Sequence, residues 1–138
     1  MNPVADISAQ VLDQLKEIPG VKTCDDWGGD IDDLIKRTAL LPGVFLVYQG
    51  ARFAAPKMVG SKLADSVMEW AVVIIDRNLR AHDAAAGGCY DLIQQVRQRL
   101  IGLEVAEGRL WPTTEQLIFS GGGKLAYALG YTNECRIN

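Results

Sequence analysis

The run Gly121–Lys124 is the first place where this sequence could do chemistry, because glycines followed by a lysine are typical of loops that bind phosphate. A nucleotide-binding loop of that kind needs four residues between its glycines, a Ser or Thr after the lysine, and a helix behind it. Leu125 follows Lys124 instead, and the residues beyond it have the pattern of a strand. We therefore interpret the run as the turn of a hairpin.

The acidic segment Asp25–Asp33 could bind a hard cation, since clustered carboxylates are the ligands that calcium prefers. The twelve-residue calcium loop needs a bidentate glutamate at its last position. Counting from Asp25 or Asp26 places Lys36 or Arg37 there. The pattern favours a capped helix preceded by a solvated acidic turn, and it predicts no metal site.

The sequence supports neither zinc binding nor nucleophilic catalysis. His82 is the single histidine, and Cys24, Cys89 and Cys135 are too scattered to form paired zinc ligands. No nucleophile elbow or activated base accompanies them. We expect no cofactor and no enzyme activity. Two acids far apart in sequence can still meet in a fold, so a small enzyme with a pocket between the third helix and the sheet stays open as an alternative.

Composition places the chain among ordinary globular proteins, with 138 residues, 49% hydrophobic and 22% charged. We expect one domain over residues 1–138. A net charge of −3 argues against nucleic-acid readout, which needs clustered Lys and Arg. The start of the chain has no signal-peptide pattern, and no apolar run approaches the ~20 residues that span a bilayer. The odd cysteine count predicts free thiols and a reducing cytoplasm during folding, with an extracellular particle of pre-folded subunits as the open alternative.

Three helices are predicted by periodicity and capping. The first has apolar residues at helical spacing from Val4 to Ile18, with Asn2 as its cap. The second extends from Ile31 to about Ala39 behind the capping residue Asp30. The third extends from about Cys89 to Ile101, after a flexible crossover that contains residues 84–88.

Strands are predicted where β-branched and aromatic residues run together. They cover a short piece at Val21–Cys24, then Val44–Tyr48, Val67–Asp76, Leu117–Ser120 and Leu125–Thr132, with Leu103–Arg109 as a polar connection. The strand at 67–76 is apolar on both faces and needs cover on both, from its own chain or from a neighbouring subunit. Because helices and strands do not alternate regularly, we expect an α+β fold with a mostly antiparallel sheet and helices packed on one face.

A long loop is predicted from Gly50 to Ala64, where the sequence has no sustained period. It contains Arg52, Lys57 and Lys62 and no acidic residue, which gives it a basic face. Loops of this length inside a compact domain are often functional, so we expect a contact surface here. A tolerated surface insertion is the alternative.

The order of these elements resembles the Mu-like prophage tail proteins. The resemblance covers nearly the whole chain, and it rests on patterns of strand and helix rather than on invariant chemical residues. The segments that carry it are Leu41–Tyr48, the basic loop, Trp70–Arg80 and Gly88–Arg97.

The resemblance implies a tail terminator of contractile-tailed phages and phage-tail-like particles. Such a protein forms a ring, usually hexameric, that caps the tail tube and sheath, fixes tail length and joins the tail to the head connector. It implies a place in the virion tail, after assembly in the bacterial host cytoplasm, and no contact with a membrane. A head-completion or neck connector protein that binds the portal is the alternative within this class.

Protein contacts are expected at the sheet edges, in the basic loop and in the acidic segment. Because the basic loop and the acidic segment have opposite charges, neighbouring copies could meet head to tail. The residues proposed for these contacts are Arg52, Phe53, Lys57, Met58 and Lys62 from the loop, and Asp25 and Asp26 from the acidic segment.

Overall fold

The computed structural model describes residues 2–56, 58–60, 62–77, 83–106 and 108–137. Three helices and seven strands are formed within these ranges. Lys57 and His82, both considered above, lie outside the described residues. The elements in chain order are α1 Pro3–Lys16, β1 Thr23–Asp26, α2 Ile31–Arg37, β2 Gly43–Phe53, β3 Ala64–Arg77, α3 Asp83–Leu100, β4 Glu104–Val105, β5 Gly108–Arg109, β6 Trp111–Gly121 and β7 Lys124–Ile137.

The predicted caps of the first two helices are confirmed. The Asn2 side chain accepts a hydrogen bond from the amide of Ala5 at 3.1 Å, which satisfies one of the free donors of α1. Asp30 accepts from the amide of Asp32 at 3.3 Å and begins α2 in the same way. The third helix begins earlier than predicted, at Asp83 rather than Cys89. The alanines at 84–86 are strong helix formers and outweigh the two glycines after them.

Five strands form one sheet in the order β1-β2-β3-β7-β6. Only the β1–β2 pair is parallel within this sheet; the others are antiparallel. The expected α+β fold with a mostly antiparallel sheet is therefore confirmed. β4 and β5 form a small separate hairpin within the segment that we predicted to be a polar connection.

Several strands are longer than the sequence predicted. β2 continues past an irregularity between Tyr48 and Gly50 and ends at Phe53, and β3 already begins at Ala64. Only residues 54–63 therefore connect them, rather than the whole of 50–64. β6 begins at Trp111 and β7 continues to Ile137, because each of these strands has a partner along its added length.

The sheet is covered on both faces. The two long helices pack on one face, where Val11 of α1 and Val96 of α3 belong to the same buried cluster as Trp70 of β3. The short helix α2 lies on the other face, where Leu34 and Ile35 contact the second apolar row of β3. The expectation that the helices pack on one face therefore holds for α1 and α3 and is wrong for α2. The second cover of this strand thus comes from its own chain, which was one of the two alternatives considered from sequence.

The glycine-lysine run forms the turn between β6 and β7, as predicted. Gly122 and Gly123 have φ values of 55° and 77°, a region that favours glycine. The Lys124 ammonium donates to the carbonyl oxygens of Ile35 and Thr38, both at 2.7 Å, and of Lys36 at 3.1 Å. These carbonyls lie at the end of α2, so Lys124 caps the C-terminus of a short helix.

Candidate assembly surfaces

The connection between β2 and β3 concentrates exposed apolar surface at one end of the sheet. We call the described residues 53–56, 58–60, 62 and 63 the β2–β3 tip. Ten large apolar side chains are exposed in the described part of the chain, and four of them lie in this tip. They are Phe53 at 61%, Met58 at 73%, Val59 at 107% and Leu63 at 51% exposure. Such a cluster marks an interaction site more often than single exposed residues do.

The tip is held on a regular ladder. Phe53 is opposite Ser66 in the β2–β3 pair, and the amide of Ala54 donates to the carbonyl of Asp65 at 2.9 Å. β7 supports the same end of β3, with Arg136 Nε 2.9 Å from Asp65 Oδ1. The Ser66 hydroxyl donates to the carbonyl of Cys135 at 2.7 Å. The tip therefore projects from three paired strands.

The expected basic face of this region needs a correction. We inferred it because the segment itself contains no acidic residue, but the sheet places Glu69 of β3 against Arg52, with Arg52 Nε 3.0 Å from Glu69 Oε1. Glu69 was missed because it is outside the loop in sequence, and only strand pairing brings it next to Arg52. Lys62 is an exposed cation of the tip, and Lys57 lies outside the described residues.

The two acidic candidates lie at the end of β1. Asp25 and Asp26 pair with Phe45 and Leu46 of β2 and are exposed. Leu46 precedes Arg52 by six residues in the same strand, so the acidic pair and the base of the tip are separated by roughly 20 Å along the sheet. The fold does not bring the two candidate groups together within one copy.

An open groove of about 570 Å³ lies between α1, the end of β1 and the middle of β2. We call it the α1–β2 groove. Its floor includes the buried side chains of Leu46 and Trp70, and its walls include Leu12 and Tyr48. The Tyr48 and Trp70 rings are 5.0 Å apart and tilted by 54°. Asp26 lies at its polar side, so the groove combines an apolar floor with an acidic rim.

Both outer strands of the sheet differ from flat, regular edges. β1 has only four residues. β6 is long, but it contains Pro112, which has no amide to donate, and its register shifts twice, between Pro112 and Thr114 and between Leu117 and Phe119. Bulges and prolines discourage unplanned strand pairing. Trp111 and Leu117 of this strand are exposed and remain secondary contact candidates.

Cys24, Cys89 and Tyr131 are not activated as nucleophiles. Burial raises the pKa of the Cys89 thiol to about 11, and it also raises the pKa of Cys24. Burial raises the pKa of Tyr131 to about 12. Each group therefore keeps its proton near neutral pH, whereas thiol catalysis requires a lowered pKa. Among the residues described, no group of three His, Cys, Asp or Glu side chains is arranged to hold a metal ion.

Comparison with known proteins gives the family. A sequence profile of the family described as "Bacteriophage Mu, Gp37" matches residues 3–121, which is most of the chain. The chain belongs to this family. The resemblance to Mu-like phage tail proteins is thereby confirmed, and the chain is a phage structural protein. No match is found among curated proteins.

The Gp37-family chain also resembles solved structures. One match is to a chain of the "Virion of native gene transfer agent (GTA) particle", with a TM-score of 0.64. The two sequences are 14% identical, and the match covers 98% of each chain. At this identity the likeness supports the fold alone. None of the helices in the described ranges has the length and apolarity needed to cross a lipid bilayer.

Sequence reasoning missed part of both surfaces. Val59 and Leu63 were not among the proposed contacts, although two large apolar residues in a glycine-containing loop are a usable signal. The α1–β2 groove was not foreseen, because it joins four segments that are far apart in sequence.

Proposed function

We propose that this Gp37-family protein is a tail terminator. In this role it forms a homohexameric ring on the end of the tail, caps the tube and sheath, fixes tail length and joins the tail to the head connector. It acts as a single domain over residues 1–138, and it assembles in the bacterial host cytoplasm before it becomes part of the virion tail.

The cluster of exposed apolar side chains at the β2–β3 tip is the observation that carries this proposal. A protein that works alone seldom presents such a cluster on a paired strand end, whereas a subunit covers it on assembly. Membership of a phage tail family supplies the setting. We assign Phe53, Met58 and Lys62 to contacts with other subunits, together with Arg52, Lys57, Asp25 and Asp26.

Tail length in a phage or particle that lacks this protein provides the test. A terminator stops tube growth, so its deletion is expected to give tails of irregular and excessive length in electron micrographs. A plasmid copy of the intact gene should restore uniform length. Tails of normal length without heads attached would instead support a neck connector, and co-purification with the portal rather than with tube protein would agree with that outcome.

Ring formation has its own measurement. Light scattering of the purified protein, alone and with tube protein added, is expected to detect a species near six times 15.0 kDa. A strict monomer under both conditions would contradict the proposal. Lys62→Glu should weaken the ring through loss of a favourable charge, and Lys16→Glu, an exposed lysine at the end of α1, is the matched control.

A further inference from the structure

Met58 and Val59 of the β2–β3 tip are 73% and 107% exposed. The tip begins five residues beyond Tyr48 in β2, roughly 17 Å along the strand from the α1–β2 groove. Strand pairing with β3 and β7 keeps the tip pointing along β2, away from the groove. The tip therefore cannot fold back into its own groove without breaking the end of the sheet.

The groove has the properties of an acceptor for apolar side chains. Its volume of about 570 Å³ is within the range of pockets that bind drug-sized molecules. Leu12, Tyr48 and Trp70 provide apolar and aromatic contact surface, and aromatic residues are enriched at the centre of protein interfaces.

The charges around the α1–β2 groove favour the tip of a second copy as its occupant. The groove has Asp26 at its rim and Asp25 beside it in β1, and both are exposed. The tip has Lys62 next to its apolar cluster. An apolar group with a cation beside it matches an apolar groove with a carboxylate at its rim. The tip of another copy supplies this combination.

We propose that the β2–β3 tip of one copy docks in the α1–β2 groove of the next copy, with Met58 and Val59 inserted against Tyr48 and Trp70. This contact joins two different surfaces of the same chain. Heterologous contacts of this kind generate a closed ring when the rotation between copies closes. The inference deepens the proposed function, since it names the contact by which the ring forms.

Paired cysteine variants test the contact directly. Two differently tagged chains are prepared in a Cys24→Ala background, because Cys89 and Cys135 are buried. One chain has Val59→Cys and the other has Ser8→Cys, a position of α1 that lines the groove. Under mild oxidation with tube protein present, we expect a disulfide between the two tags. The control replaces Ser8→Cys by Asp13→Cys, which is exposed on the same helix outside the groove, and should give little cross-linked product.

Substitution at the tip gives an independent measurement. Val59→Asp is expected to raise the dissociation constant for self-association roughly 30-fold or more, the scale of an interface hot spot. Ile101→Asp, at an exposed apolar residue at the end of α3, should leave it unchanged. Because Val59 is fully exposed in the single copy, its replacement should not disturb folding, which a thermal melt checks.

The outcomes separate this inference from the proposed function. A ring that persists with Val59→Asp, or that forms without the Val59–Ser8 cross-link, would overturn the docking contact and leave the terminator role intact. Wild-type protein that remains monomeric with tube protein present would overturn both. Cross-linking at Ser8 together with normal tail length in a deletion strain would support the contact and contradict the terminator role.

Discussion

Loss of the Lys124 ammonium should destabilise the chain although the lysine is outside both apolar cores. Lys124→Met keeps the length and the apolar stem but removes three hydrogen bonds to carbonyls of Ile35, Lys36 and Thr38. Hydrogen bonds that involve a charged group contribute about 1.5–3 kcal/mol to stability. Because the site is partly buried, water can replace some of the lost hydrogen bonds in the variant. We expect a loss of about 2 kcal/mol, larger than the few tenths that a surface substitution usually costs.

Urea unfolding followed by circular dichroism measures this change. With a slope of roughly 2 kcal/mol per molar urea, the midpoint should fall by about 1 M. The protein is kept dilute enough to be monomeric, because self-association would itself add stability. Lys36→Met is the matched control, since Lys36 is an exposed lysine of α2. Equal midpoints for the two variants would refute the view that Lys124 fixes the end of α2.

Three other predictions follow from buried and paired groups. Asn133→Ala should cost about 2–3 kcal/mol in thermal or urea unfolding, because Asn133 accepts the buried indole N–H of Trp70 at 2.7 Å; a loss below about 1 kcal/mol would contradict this. Arg97 holds the pKa of Glu115 below its usual value, so this pair should stabilise the fold above the unfolded pKa near 4.3 and lose its effect as pH falls through the lower folded pKa. Glu115→Gln should accordingly make the free energy of unfolding depend less on pH between about pH 5 and 3. An unchanged pH dependence would show that the Arg97–Glu115 pair is not its source. The Cys89 thiol, with its pKa raised to about 11, should resist a thiol reagent at pH 8 until urea unfolds the chain, and fast labelling in the native state would contradict its burial.

Local features of the sequence predicted the helices and the central strand well. α1 could be recognised because its apolar residues recur at helical spacing behind Asn2 and Pro3. The two faces of β3 could be assigned because side chains alternate along a strand, and Trp70 and Val73 lie in different cores as that alternation requires. Each of these features depends on residues close together in the chain.

Features that depend on distant partners were not predictable. The ends of β2 and β7 were placed too early, because the residues that extend them are stabilised by pairing with β3. Glu69 faces Arg52 only after the sheet forms. The side of the sheet taken by α2 depends on a turn geometry and on the reach of Lys124, neither of which has a sequence pattern of its own.

The distribution of apolar residues separates the folding core from the proposed assembly surface. Both faces of β3 are covered by helices of the same chain, so the core is complete before any neighbour arrives. The exposed cluster at the β2–β3 tip is outside that core and contributes little to folding. In the terminator role that we propose, such a subunit would fold as a monomer and associate afterwards, so ring formation would wait for the end of a growing tail. Substitutions at the tip should then weaken the proposed docking contact while the fold remains stable.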